Sequence, residues 1–214
     1  MTLGIYCAGG LGREVLELAR QVGGFETIVF VDDGQIMQEV NDVPVLSFLS
    51  FCAMYPPESA QFILANGEPN LLQLLFQQIS SAGYKLQTLV HPIIRIPHSC
   101  YLGQGVVVQA NVFISSNATL ADGVYLNVNC AIGHNVKIGR FSNISMGCMI
   151  AGGVQIGDYT YIGAGTLVRE DCIIGSHCII GMGSMVLSNI PDHCLAYGNP
   201  ARVIRTIKDN TLVF

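Results

Sequence analysis

His134 stands among aliphatic residues and glycines in the stretch CAIGHNVKIG and is followed at once by Asn135. A neutral imidazole with an ordinary pKa near ~6.5 can take a proton from an attacking amine or hydroxyl at neutral pH. The plainer alternative is a polar residue at a corner of a repetitive fold. A second constellation opens the chain, where the turn CAGGLG sets Cys7 at the first position of GxGxxG and Gly9 and Gly12 at the others, with Gly10 and Leu11 between. The next apolar stretch ends in Asp32 and Asp33, about 20 residues on, where nucleotide-binding folds place an acid against a ribose hydroxyl. In the functional reading, backbone N–H groups at the helix start hold a diphosphate and the acids hold the ribose. In the structural reading, the glycines permit a tight turn and the acids end a solvated strand.

The elements that would position His134 are set by a repeat. Stepping by six from Ile96 to Val186, sixteen consecutive positions are Ile, Leu or Val. Two residues before each of these, from Cys100 to Ser184, stands a small or β-branched residue. A helix repeats at 3.6 and a strand at 2, so a period of six implies a short strand plus a corner, three such units closing one triangular coil. This is the architecture of a hexapeptide β-helix. Gly103, Gly133, Gly139, Gly157, Gly163, Gly175 and Gly181, each one residue after the aliphatic position, suit corners needing tight or positive-φ backbone. Cys100, Cys130, Cys148, Cys172 and Cys178 occupy the small inward position as compact hydrophobes. No CxxC occurs, so neither a metal site nor a disulfide framework is expected. His91, His98, His177 and His193 read as structural or surface residues, without carboxylate partners.

Before the solenoid the pattern alternates. LGIYCA, TIVFVDD, QFILA and KLQTLV read as strands, and GREVLELARQV, PVLSFLSFCAM and PNLLQLLFQQISSAG as helices, which implies a small parallel sheet with crossover helices. The expected organisation is a Rossmann-like α/β domain over residues 1–90, a parallel β-helix over 91–190 and a capping tail over 191–214. Fewer than 95 residues precede the solenoid, too few for both halves of a dinucleotide-binding fold. A nucleotide attached to something other than nicotinamide fits better.

Composition narrows the partners. The net charge of −5 and the lack of a Lys/Arg-rich run argue against nucleic acid and anionic membranes. No apolar run approaches the ~18 residues of a spanning helix and the first residues lack a signal-peptide pattern, so a cytoplasmic protein is expected. Only 12% of residues are charged, against an ordinary ~25%. Outward apolar residues such as Val107, Phe113, Tyr125, Met149 and Ile173 therefore point to a surface covered in an oligomer.

The CAGGLG-type α/β unit, the His91–Pro92 junction, the uninterrupted hexapeptide solenoid and the closing GNPAR (Gly198 to Arg202) together resemble the sialic acid O-acetyltransferases and UDP-4-amino-sugar N-acetyltransferases of bacterial surface-glycan biosynthesis. The resemblance implies a left-handed solenoid that forms homotrimers, a UDP-sugar or related acceptor held by the first domain, and acetyl-CoA in the groove between neighbouring solenoids, with no metal. It places the catalytic base on His134 and the N–H facing the thioester oxygen on Gly152. The sugar-nucleotide site falls on Gly9, Gly10, Leu11, Asp32 and Asp33, and the acetyl-CoA site on Asn143, Ala164 and Met182. In that family Asp or Glu commonly follows the catalytic histidine, where this chain has Asn135 as a possible orienter, and a second histidine contacts CoA where it has Asn143.

The repeat supports these roles separately, since Gly152 lies eighteen residues after His134, one coil along at the same corner and a strand spacing of ~4.8 Å away. A base and a backbone donor could thus flank one thioester. The expected function is acyl-CoA-dependent acyl transfer to an amino or hydroxyl group of a nucleotide-linked sugar. The competing readings are a catalytically weak trimeric nucleotide-sugar-binding scaffold, and a hexapeptide acetyltransferase acting on a free amino acid or simple sugar.

Overall fold

The computed structural model describes residues 1–34 and 37–207; the end of the expected tail, residues 208–214, lies outside the described residues. The amino-terminal unit runs β1 (Thr2–Tyr6), α1 (Gly10–Val22), β2 (Thr27–Val31), β3 (Glu39–Val40), β4 (Val43–Leu46), α2 (Phe48–Met54), β5 (Ala60–Leu64), α3 (Pro69–Ser81) and β6 (Lys85–Leu86). Its sheet order is β3-β4-β2-β1-β5-β6, parallel except for the β3–β4 hairpin. β1, central and buried on both faces, reads as the continuous apolar run expected of a parallel strand. The segment PVLSFLSFCAM is only partly helical. Val43–Leu46 pair in the sheet, and Ser47, whose hydroxyl accepts from the Ser50 N–H at 3.2 Å, caps a helix that starts at Phe48. The hairpin turns at Asn41 and Asp42, both with positive φ, a turn the sequence reading missed.

KLQTLV is also divided. Lys85 and Leu86 close the first sheet, whereas Leu89 and Val90 pair with Val107 and Val108 and so belong to the solenoid's ladder. The solenoid is a left-handed parallel β-helix of fifteen two-residue strands between Tyr101 and Val186 among the described residues, in three ladders. Each coil has three flat faces. One, with Val107, Tyr125, Asn143 and Tyr161 pointing outward, faces the amino-terminal unit. The second exposes Phe113, Ala131, Met149, Leu167 and Met185, and the third Tyr101, Thr119, Lys137, Gln155 and Ile173. The inward aliphatics form one continuous core with Cys130, Cys148, Cys172 and Cys178; Cys100 packs against its edge, and all the cysteines are free.

The corners separate two demands that the sequence reading merged. Positive φ falls three residues after each aliphatic position, not one, without a gap from Gly105 to Gly183. These fourteen positions hold six glycines, four asparagines and Asp171, the residues that tolerate a left-handed backbone, together with Phe141, Tyr159 and His177. The glycines one residue after the aliphatic are needed for closeness alone. A Cβ on Gly133 would sit 2.6 Å from the Gly152 nitrogen in the next coil, and one on Gly139 would sit 2.5 Å from the Asp158 nitrogen.

The aromatic exceptions stack. Phe76 of α3, Phe141, Tyr159, His177 and His193 form a column along one corner with successive ring centroids 5.1, 5.6, 5.2 and 4.8 Å apart. Stacking of ~0.5–1.5 kcal/mol per pair offsets a left-handed cost of ~1–2 kcal/mol per residue. The two units also share cores: Val107 and Tyr125 pack with α1, and Phe141 with α2 and α3. Val107 and Tyr125 are therefore covered by their own chain rather than by an oligomer, because α1 lies across that face. The Tyr125 hydroxyl accepts from Gln109 Nε2 at 2.9 Å and reaches Glu14 of α1 at 3.4 Å.

His177 is not the isolated surface residue expected. Its Nδ1 is buried without a hydrogen-bond partner, and burial together with the charge of His193 holds its pKa below the ordinary value, against weaker opposite pulls from Asp158 and Asp192. The unfolded chain then binds more protons than the folded one below pH ~6.5, so this site removes stability as pH falls through that range. His177→Asn keeps a residue that tolerates the corner and removes the titration. The drop in Tm between pH 7.5 and pH 5.5 should be smaller in this variant than in the native protein.

Candidate functional site

Residues expected at the site fall into two clusters on opposite edges of the apolar face. The first is the corner between the Ala131–Ile132 and Lys137–Ile138 strands, where the exposed His134 projects from the solenoid. Its carbonyl accepts from the Gly153 N–H at 2.8 Å, which ties the corner to the next coil. A Cβ on Gly152 would lie 2.5 Å from both His134 Nε2 and Cε1, so the imidazole rests over this glycine and any larger residue would displace the ring. No hydrogen bond among the described residues takes up the Gly152 N–H. A base and a free backbone donor therefore sit side by side, the pairing that acyl transfer requires.

Asn135 occupies a left-handed corner at φ 58°, and that backbone is sufficient reason for an asparagine there. Its Nδ2 lies 3.1 Å from His134 Nδ1. With the amide turned over, Oδ1 accepts from Nδ1–H and leaves Nε2 free as the base. Beside this corner runs an open groove of about 440 Å³ along the apolar face, lined by Phe113, Gly133, Met149, Leu167, Arg169 and Met185.

The second cluster is a cleft of about 470 Å³ between the two units, where Leu11, Gly67 and Glu68 meet Asn127, Asn143, Ser145, Met146, Tyr161 and Ala164. Leu11, Asn143 and Ala164 are thus brought together from three distant segments. Asn143 lines this cleft, is 6% exposed, and its buried Oδ1 has no hydrogen-bond partner. Met182 lies one coil beyond Ala164, 79% exposed. Gly9 caps α1, and a Cβ on Gly9 or Gly10 would meet nothing within 4 Å, so these glycines leave the helix start bare. Gly12 is needed for packing, since its Cβ would fall on the Cys7 carbonyl. Cys7 itself holds φ 80°, and burial pushes its thiol up to about 11, which leaves it protonated.

The sequence reading missed Gly67 and Glu68. They follow β5 in a turn braced by Asn66, whose Oδ1 accepts from the Glu68 N–H at 2.7 Å. The signal was available in principle. β2 and β5 flank β1 on opposite sides, so the crevice beyond the carboxyl ends of β1 and β5 is a topological switch point, the usual ligand site of such sheets.

Asp32 and Asp33 bind their own chain. Asp32 accepts from the Ala8 and Gly34 N–H groups at 2.9 and 3.0 Å, bracing the turn. Asp33 accepts from the Tyr6 hydroxyl at 2.7 Å and from the Phe48 N–H, at the start of α2, at 2.9 Å. Burial, then the Asp33 hydrogen bond, raises the Tyr6 pKa well above its ordinary value. The described residues contain no group of three or more side chains able to hold a metal ion, and no helix among them is long and apolar enough to cross a membrane.

These features define a hexapeptide-repeat protein with a nucleotide-type amino-terminal unit, and comparison with known proteins places it further. The PglD N-terminal domain model matches residues 2–79, and the bacterial transferase hexapeptide model matches residues 135–170 and 153–188. The acetyltransferase domain of PglB from Neisseria gonorrhoeae FA1090, solved with acetyl coenzyme A, is 32% identical with a TM-score of 0.90, over 95% of this chain and 98% of that one. PerB from Caulobacter crescentus, solved with CoA and GDP-perosamine, is 29% identical with a TM-score of 0.88, over 95% and 97% of the two chains. WeeI from Acinetobacter baumannii AYE is 26% identical with a TM-score of 0.73, over 95% and 100%. No match is found among curated proteins. The chain belongs to the hexapeptide-repeat sugar acetyltransferase family.

Removing the Asp33 carboxylate should register first as lost stability. Asp33→Ala leaves the first N–H of α2 without its acceptor and the Tyr6 hydroxyl with only the longer contact to Gln78 Oε1 at 3.4 Å, a loss of about 1–3 kcal/mol. Urea denaturation monitored by circular dichroism measures it.

Proposed function

We propose that this protein transfers an acetyl group from acetyl-CoA to the amine of a nucleotide-linked sugar in the cytoplasm, with His134 as general base. The observation that carries this reading is the His134 imidazole lying on Gly152 beside an uncommitted backbone N–H. In the reaction the amine nitrogen attacks the thioester carbonyl and His134 Nε2 takes its proton. The oxyanion accepts a hydrogen bond from the Gly152 N–H. When the C–S bond breaks, the imidazolium returns the proton to the departing thiolate. The nucleotide-sugar's diphosphate would lie over Gly9, Gly10 and the start of α1, whose N–H groups and dipole favour an anion. Asp32 and Asp33 keep carboxylate lone pairs for a ribose while bracing the turn. The choice of an amino sugar over a hydroxyl follows the relative solved with GDP-perosamine, whose histidine variant is described as a perosamine N-acetyltransferase.

Asn143, Ala164 and Met182 would line the acetyl-CoA path. Within one chain that path and His134 lie on opposite edges of the apolar face, so one copy alone does not complete the site. Three copies turning Phe113, Met149 and Leu167, which are 63, 57 and 38% exposed, toward a common axis would cover that face and bring each His134 to a neighbour's cleft. A homotrimer is therefore part of the proposal; the trimeric scaffold reading would cover the same face but gives no account of the His134 imidazole lying on Gly152 beside an uncommitted N–H.

His134→Ala should lower turnover about 10²-fold or more while leaving Tm nearly unchanged, because the side chain is exposed. Thiol release with acetyl-CoA and nucleotide-linked amino sugars, read with Tm and light scattering on the same preparations, tests this. An unchanged rate in the alanine variant, or a monomer at micromolar concentration, would overturn the assignment. Asn135→Asp places a carboxylate against the ring and should shift the acid limb of the rate profile upward, by favouring the imidazolium.

A further inference from the structure

The Asn135 amide can stand in two ways, and its contact with the ring does not choose between them. With Nδ2 toward His134 Nδ1, 3.1 Å away, the neutral ring carries its proton on Nε2, which then cannot accept another. With Oδ1 in that place, Nδ1 carries the proton, Nε2 is the base, and Nδ2 is turned away from the ring in need of an acceptor. Whatever accepts from Nδ2 therefore selects the tautomer of the base.

The column of left-handed corner positions supplies an acceptor. Asn135, Gly153 and Asp171 follow one another there in three adjacent coils, with φ of 58, 72 and 57°. Their backbones are locked in register, since the Gly153 N–H donates to the His134 carbonyl at 2.8 Å and the Asp171 N–H to the Gly152 carbonyl at 3.0 Å. The Asp171 side chain leans back along the column, its Oδ1 filling the space that a Cβ on Gly153 would need. From the other side, the His134 ring leans onto Gly152 and the Asn135 amide reaches that ring, so Asn135 points toward the same space. What remains between the two side chains is about one strand spacing, ~4.8 Å, a gap that a single water spans with two hydrogen bonds. Asp171 is also the one aspartate of the solenoid that the fold leaves uncommitted. Asp122, Asp158 and Asp192 each accept an N–H from the preceding coil, at 2.9, 2.7 and 2.8 Å. Asp171 accepts no hydrogen bond and enters no ion pair among the described residues. Its backbone conformation would be served as well by the glycine or asparagine found at most such corners, so the corner does not account for the charge.

We propose that Asp171 is the positioning residue of this base, its carboxylate accepting from Asn135 Nδ2 through one water and so holding Oδ1 against His134 Nδ1–H. The inference rests on the reading of His134 as general base and adds the group that poises it. A carboxylate directly after the histidine would do this in one contact. Here the charge is set two coils away and the amide between passes its orientation on. The Gly152–Gly153 pair serves both halves of the arrangement, the first glycine leaving room for the imidazole and the second for the carboxylate.

The test reads the tautomer directly. In full-length protein carrying isotope-labelled histidine, at a pH where the ring is neutral, the imidazole nitrogen chemical shifts of His134, identified by their loss in His134→Ala, distinguish Nδ1–H from Nε2–H. The native protein should hold Nδ1–H as its main form. Asp171→Gly suits the left-handed corner and removes the carboxylate. It should move the population toward Nε2–H and lower kcat for thiol release about tenfold, the worth of one charge-assisted hydrogen bond, with KM for acetyl-CoA and Tm nearly unchanged. Asp171→Asn, which keeps an acceptor without the charge, should fall between. In an Asn135→Gly background, where the link is already cut, Asp171→Gly should change the tautomer no further. Three results would each overturn the proposal: an unchanged tautomer in Asp171→Gly, the same change in Glu170→Gln, which removes a neighbouring charge outside the link, or an undiminished effect in the Asn135→Gly background. A tautomer that responds to Asp171 while His134→Ala keeps the native rate would instead overturn the base reading.

Discussion

Every corner of the solenoid must turn the chain through a left-handed backbone and still let the next coil lie a strand spacing away. Those two requirements fix the rest. The first is met three residues after each inward aliphatic, from Gly105 to Gly183, and the second at the glycines one residue after it. Because each coil repeats both, residues eighteen apart become neighbours along an edge, and columns of identical geometry form at all three corners. One column carries Gln104, Asp122, Arg140 and Asp158: the Gln104 N–H donates to Asp122 at 2.9 Å, the Arg140 N–H donates to Asp158 at 2.7 Å, and the Arg140 guanidinium pairs with Asp122 at 3.2 Å. Beside it runs the aromatic stack. A second column carries His134 over Gly152, and the third Met146, Ala164 and Met182.

Chemistry becomes possible where a column is interrupted. At the His134 corner a glycine below the histidine leaves a flat shelf and a free N–H. Any side chain at residue 152 would lift the ring away from that donor. The same constraint explains Asn135 without appeal to catalysis, since its backbone conformation already selects asparagine. Its amide is nonetheless adjacent to Nδ1, so one residue satisfies the fold and can still orient the ring.

The amino-terminal unit is fixed to the solenoid rather than loosely tethered. Val107 and Tyr125 join the core beneath α1, Phe76 joins the aromatic column, and His91 Nε2 lies 2.7 Å from Gln21 Oε1 of α1. This docking aims the turn after β1 and the turn after β5 at the solenoid's edge and closes that edge at one end. A rigid cleft, open in a single direction, follows from the two units sharing a core.

The sequence by itself determined the periodic part. Sixteen aliphatic positions at a spacing of six admit one kind of backbone, and from that spacing His134 and Gly152 fall on one corner in adjacent coils. Local patterns also sufficed for β1, β2, β5 and their helices, because each is a run whose period matches its burial. What the sequence left open were contacts between residues far apart in the chain. Nothing local distinguishes Val107 and Tyr125, covered by α1, from Phe113 and Met149, exposed on the next face. Nothing in PVLSFLSFCAM shows that its first residues pair with β2. The stack of His177 on His193, the engagement of Asp33 with Tyr6 and α2, and the meeting of Leu11, Gly67 and Asn143 in one cleft depend on how the two units dock. Tertiary structure decided these, because side-chain environments at an interface are set by both surfaces at once, and a linear pattern records only one of them.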